Sequence, residues 1–202
     1  MSARDDILGR VRRNQPPAVA MPVVPAFPPP PGSLAERFKS ALKRMGGKVA
    51  EPAAGAVLHD FVRALFPGGA IFASAVPGIA GDRDLGAVRK PGDLADVDVG
   101  VVRAVFGVAE TGSVWLTCRE FRVDSLGFLS QHLVVLLDPA RIVATMHDAY
   151  RDREQFDARY GVFMTGPSAT ADIEGVLIHG AQGVRSLTVV PSATDVDATT
   201  SA

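Results

Sequence analysis

Short runs of β-branched and aliphatic residues alternate along this chain with segments of helical periodicity, and that alternation restricts the fold more than any other feature. Residues 132–137 are a continuous apolar run of strand length, and Asp138-Pro139 follows as a cap and first-turn signal for a helix over 140–150. Residues 48–51, 70–75, 161–165 and 186–190 read as further strands. Ser33 opens a helix with Glu36 three positions on, and Leu34, Phe38, Ala41, Leu42 and Met45 form its apolar stripe until Gly46-Gly47. A second stripe, Val57, Leu58, Phe61, Val62 and Leu65, ends at Pro67-Gly68-Gly69. Residues 101–109 and 114–117 flank the tight turn Glu110-Thr111-Gly112-Ser113, as a hairpin requires. The fold class that follows is α/β, a largely parallel sheet flanked by helices, with ligands expected outside the carboxyl ends of its strands.

Four parts are legible. Residues 1–13 predict an N-terminal helix with Ile7, Leu8 and Val11 on one stripe, suited to docking on a partner. Residues 14–32 hold eight prolines in nineteen positions, which fix φ and remove amide donors, so this is a linker or tether. Residues 33–191 form the α/β domain, and 192–202 a polar, flexible tail. Within the domain, 77–96 is rich in Gly, Pro and Asp and reads as an exposed excursion.

Composition removes several classes of function. A chain of 202 residues that is 47% hydrophobic and 21% charged can bury one sizeable core. Its formal net charge of −1 offers no positive field for nucleic acid. The single cysteine, Cys118, rules out an intrachain disulfide, an iron–sulfur cluster or a thiolate zinc site made from this chain alone, and reads as a small buried hydrophobe. His59, His132, His147 and His179 include no pair at i, i+4, so no metal site is expected. No stretch is long and apolar enough to span a membrane, and the acidic start is not a signal peptide, so the cytoplasm is the expected location.

The strongest local motif is residues 165–174, where a strand delivers Thr165, Gly166, Pro167, Ser168 and Thr170 to the expected start of a helix running through Ile178. Free amides at such a start hold phosphate or carboxylate. The alternative is simple capping by Ser168 or Thr170, with Asp172 and Glu174 as first-turn acids. Glu110, in a turn between apolar strands, is either a general base or nucleophile, or a solvated acid bonding local amides. His132 opens a buried strand, in a structural or a binding role. Neither a Gly-x-Gly-x-x-Gly turn after a strand nor a Walker loop occurs, so a dinucleotide cofactor is not expected.

At Ala109-Glu110-Thr111-Gly112-Ser113 and at 166–174 the sequence resembles the lactate utilization protein C family, carriers of the LUD domain, and Asp6-Ile7-Leu8-Gly9-Arg10-Val11 resembles that family's opening. It departs from the family at 180–185, where Gln182 stands in place of a histidine and Val184 in place of a proline. Glutamine still hydrogen-bonds but cannot titrate. The resemblance implies a fold similar to the ribose-phosphate isomerase, CoA transferase and formyltetrahydrofolate cyclo-ligase group. It implies a role in oxidising L-lactate to pyruvate beside iron–sulfur subunits, so that clusters are expected only in partner subunits and no cofactor in this chain. The site expected on these grounds has Glu110 as its catalytic residue. Thr111, Gly112, Ser113, His132, Gly166, Pro167, Ser168, Thr170, Asp172, Glu174, Gln182 and Gly183 are expected around a small anionic metabolite.

Two functional readings follow. One is an accessory, non-redox component of a lactate-oxidising system, and the other a stand-alone isomerase, transferase or cyclo-ligase acting on a phosphorylated or CoA-like ligand. A third, an interaction module that uses the first helix and the proline tether, requires no pocket.

Overall fold

The computed structural model describes residues 2–193 apart from 21, 24, 26, 27, 29, 152–155, 173 and 181. The expected tail beyond 193, together with Ile173 and Ala181 of the two motifs, lies outside the described residues. In chain order the first elements are α1 (Ala3–Arg13), α2 (Leu34–Arg44), β1 (Lys48–Val49), α3 (Leu58–Ala64), β2 (Phe72–Ser74), β3 (Val99–Arg103), β4 (Phe106–Val108) and β5 (Ser113–Thr117). There follow α4 (Cys118–Phe121), α5 (Leu126–Leu129), β6 (His132–Leu137), β7 (Ile142–Val143), α6 (Met146–Arg151), β8 (Gly161–Met164), β9 (Ala169–Thr170), β10 (Ile178–His179) and β11 (Ser186–Pro191).

Five strands pair in the order β1-β11-β6-β3-β2, every neighbour parallel, with His132 beside both Ser186 and Val99 at the amino edge. A parallel sheet must be covered on both faces, and the period-2 alternation of β6 divides its side chains accordingly. Val134 and Leu136 pack with Val62 of α3, while Leu133, Val135 and Leu137 pack with Phe38 and Leu42 of α2. All five β6 side chains are buried, each stabilising the fold by roughly 1.5–3 kcal/mol.

A second sheet, not anticipated from sequence, runs β7-β4-β5-β8. Residues 101–109 are therefore not one strand. Ala104 N–H still donates to Leu136 O of the first sheet at 2.8 Å, but Val105 N–H donates to Trp115 O of the second at 3.0 Å. β4 and β5 pair antiparallel as the expected hairpin, and β8, which the alternation places in the parallel sheet, instead pairs antiparallel with β5. Val114 and Leu116 of β5 face the first sheet, and Trp115 faces Phe106 and Phe163 on the outer side. Gly161 is required here because a Cβ would come within 2.5 Å of the Trp115 ring.

Residues 140–150 are likewise not one helix. Asp138 accepts from Ala140 N–H and caps only a short 3-10 turn, after which the β-branched pair Ile142-Val143 joins β4 as a strand. Ser33 precedes α2 without a side-chain cap bond, and Glu36 pairs with Lys39 at 3.0 Å instead. The excursion at 77–96 contributes Ile79, Leu85 and Leu94 to the core and is fastened by Arg63–Asp82 and Arg83–Asp96 ion pairs. Its composition hides this because the anchors are isolated apolar residues rather than a periodic stripe. No residue of α1 is buried. Among the described residues no helix is long and apolar enough to cross a membrane.

Candidate functional site

The two segments singled out by sequence meet at the C-terminal end of α2. Gly112, at φ +69°, lies so close to that helix that a Cβ would sit 2.2 Å from Leu42 N, and a Cβ on Gly166, at φ +65°, would sit 2.0 Å from Met45 O. Only glycine combines the left-handed backbone with so close an approach. The Thr165 hydroxyl donates to Gly112 O at 3.1 Å and ties the two segments together. Ser113 is buried, and its amide donates to the Thr111 hydroxyl at 3.3 Å.

Glu110 is exposed, and its Oε2 accepts from Met146 N–H at 2.8 Å. The Thr145 hydroxyl accepts from Asp148 N–H at 3.1 Å, so Glu110 and Thr145 between them satisfy the first amides of α6. Both residues line a cavity of about 350 Å³ at the carboxyl ends of the parallel pair β4 and β7. Its other wall is α2, whose Arg37, Ser40 and Arg44 share one face by their i, i+3, i+7 spacing. Arg44 donates to Ser40 Oγ at 3.1 Å and Arg37 to Pro30 O at 3.3 Å. Among the described residues neither guanidinium pairs with a carboxylate. Sequence inspection missed these three. The signal was their spacing on a helix whose opposite face is apolar.

The rest of the expected site lies elsewhere. The helix expected to start near Ser168 is absent. Residues 169–170 and 178–179 instead form a two-stranded antiparallel hairpin, with Glu174 at φ +54° and Gly175 at φ +70° in the connecting segment. Two consecutive left-handed residues are incompatible with a helix. The Thr170 hydroxyl donates to Asp172 at 2.6 Å, a local bond at an exposed turn, and Asp172 and Glu174 are exposed. Among the described residues no helix start therefore presents amides to an anion there. Pro167 packs near Gly46, and Gly183 packs against Ser168, whose N–H donates to Val184 O. Gln182 is exposed, and Val184, in the position of the family's proline, is buried.

His132 is at the amino edge of the parallel sheet, its Nδ1 2.8 Å from Ser186 Oγ and its ring 5.0 Å from that of Phe66. Burial, helped by the positive charges of Arg185 and Lys48 and opposed by Asp98, holds its pKa below the ordinary histidine value. It does not line the Glu110 cavity. Cys118 is partly exposed at the start of α4 rather than buried.

A second cavity of about 320 Å³ opens at the carboxyl ends of β1, β6 and β11, on the other flank of α2. Phe38, Val49, Leu137, Ile142 and Val189 make it apolar, and its lysine, Lys39, is bound by Glu51 at 2.6 Å and Glu36 at 3.0 Å. A side chain already held by two carboxylates is a poor anion ligand, so the Arg37–Arg44–Glu110 cavity is the better candidate. Among the described residues no three His, Cys, Asp or Glu side chains gather to hold a metal.

Comparison with known proteins agrees with this architecture. Residues 91–190 match the LUD domain, a span that holds both signature segments and the whole of the second sheet. The chain is similar in structure to a DUF162 family protein from Deinococcus radiodurans, with a TM-score of 0.61 and 17% identity over 80% of this chain and 99% of that one. No curated protein matches the sequence. DUF162 and the LUD domain are one family, and residues 91–190 of this chain belong to it.

Proposed function

We propose that the chain is a cytoplasmic, non-redox component of a lactate utilization system, binding a small hydroxy- or keto-carboxylate between α2 and the β4–β5 turn. The LUD family is associated with lactate utilization. The observation that carries the reading is the pair of arginines, Arg37 and Arg44, facing a cavity of about 350 Å³ without carboxylate partners. A guanidinium takes a carboxylate in two parallel hydrogen bonds, and Ser40 adds a hydroxyl to the same wall. Glu110, fixed by the Met146 amide, offers an acceptor for a substrate hydroxyl. The single cysteine leaves electron transfer to iron–sulfur partner subunits. A tagged chain is expected to retain cluster-bearing proteins on purification, and its deletion to abolish growth on lactate. Undiminished growth, with no such partner retained, refutes the proposal.

The second reading, a stand-alone isomerase, transferase or cyclo-ligase, is favoured by the same carboxylate. Glu110 is exposed at the cavity and oriented by a backbone amide, as a general base must be. On that reading Glu110→Gln abolishes turnover while leaving ligand affinity within a few-fold.

A further inference from the structure

A different part of the molecule gathers positive charge. An open cavity of about 300 Å³ separates the segment before the 3-10 turn Pro91–Leu94 from the turn joining α4 to α5. Arg89, Lys90, Arg122 and Arg159 border it, and Asp124 is the single carboxylate. The chain as a whole carries −1, so this is a local excess rather than a property of the surface. Like charges gathered around one opening repel unless a counter-charge sits among them.

The internal pairings neutralise little of it. Asp124 reaches Arg159 at 3.7 Å, and the Arg159 side chain is 83% exposed. Arg89 is committed to carbonyls, donating to Gly86 O at 2.8 Å and Val88 O at 3.2 Å, which fixes the loop rather than the charge. Asp93 is used by the amides of Arg89 and Lys90. Among the described residues the Lys90 ammonium and the Arg122 guanidinium have no carboxylate partner.

Two further features mark the same cavity. Arg122 sits at φ +58°, a left-handed conformation unusual for a side chain of this size. Ser125 borders the cavity with a buried Oγ that has no hydrogen-bond partner among the described residues.

We propose that this cavity binds the phosphate group of a small molecule, with Lys90 and Arg122 as its principal ligands. Four cations around one opening match the two or more charges and the several oxygens of a phosphate. The site shares no residue with the Arg37–Arg44–Glu110 cavity and stands or falls separately from it.

Calorimetric titration of the full chain at low ionic strength with inorganic phosphate and with pyrophosphate tests this, with acetate as the monovalent control. Saturable one-to-one binding of phosphate or pyrophosphate is expected, with acetate at least tenfold weaker. Lys90→Ala and Arg122→Gly are each expected to weaken binding at least fivefold. Arg122→Gly removes the guanidinium while relieving the backbone, so it keeps the fold. Arg37→Ala with Arg44→Ala is expected to leave phosphate affinity unchanged. Absence of saturation, equal affinity for acetate, unchanged binding in Arg122→Gly, or loss in the Arg37/Arg44 variant instead would each overturn the proposal.

Discussion

Replacing Gly112 by alanine tests whether the signature turn is a packing joint against α2. Two costs add. A left-handed backbone on an L-residue costs roughly 1–2 kcal/mol, and Gly112 sits at φ +69°. The new Cβ would also lie 2.2 Å from Leu42 N, 2.6 Å from Leu42 Cα and 2.7 Å from Ala41 C. These are helix backbone atoms that cannot rotate aside, so α2 must shift, at an overpacking cost of about 1–3 kcal/mol. The total is about 2–5 kcal/mol, a large part of the 5–15 kcal/mol typical of a domain. Gly55→Ala is the control, because Gly55 has φ +77° with nothing within 4 Å and suffers only the backbone cost. Urea unfolding should place Gly112→Ala about 1–3 kcal/mol below Gly55→Ala, with similar m-values. Two variants within about 0.5 kcal/mol of each other would refute the close approach. Because α2 also carries Arg37, Ser40 and Arg44, the same shift should weaken ligand binding.

Other consequences can be measured alongside. The folded-state pKa of His132 lies below the ordinary 6.5, so its contribution to stability is present above pH 6.5 and is lost as pH falls through the lowered value; His132→Gln should flatten the stability profile in that acidic window, and an unchanged slope would show that the imidazole is not responsible. Asp82 accepts from Arg63 and from Phe72 N–H, bonds that together lower its pKa. Its stabilisation is therefore present above pH 3.8 and fades as pH falls through the lowered value. Because the Arg63–Asp82 pair is partly exposed, Asp82→Asn should cost below about 1 kcal/mol, less still at high salt; a loss of several kcal/mol would mean the excursion unfolds with it.

How much of this was legible in sequence depends on which interactions decide each element. β6 and β11 were readable because strands buried on both faces are continuous apolar runs, and no other conformation competes for them. The break at Ala104–Val105 was not, because an apolar run does not record which sheet its amides bond to. The helix expected over 168–178 failed at Glu174-Gly175, where backbone conformation outweighed the capping pattern of Ser168, Thr170 and Asp172. Gly112 and Gly166 lie in the segments singled out from sequence, but both glycines are explained by contact with α2, a helix more than 60 residues upstream of Gly112. Long-range contact of that kind leaves no local signature. Arg37, Ser40 and Arg44 were visible as the polar face of α2, and only the β4–β5 turn folding over them makes that face a cavity wall.

The most direct measurement of the central claim is calorimetric titration of L-lactate and pyruvate into the full chain and into Arg37→Ala, Arg44→Ala and Glu110→Gln variants that retain the native unfolding midpoint. Saturable binding by the unaltered chain, weakened at least tenfold by either arginine substitution and only a few-fold by Glu110→Gln, is the predicted result. Equal affinity across all four proteins, or no saturation in any of them, contradicts it.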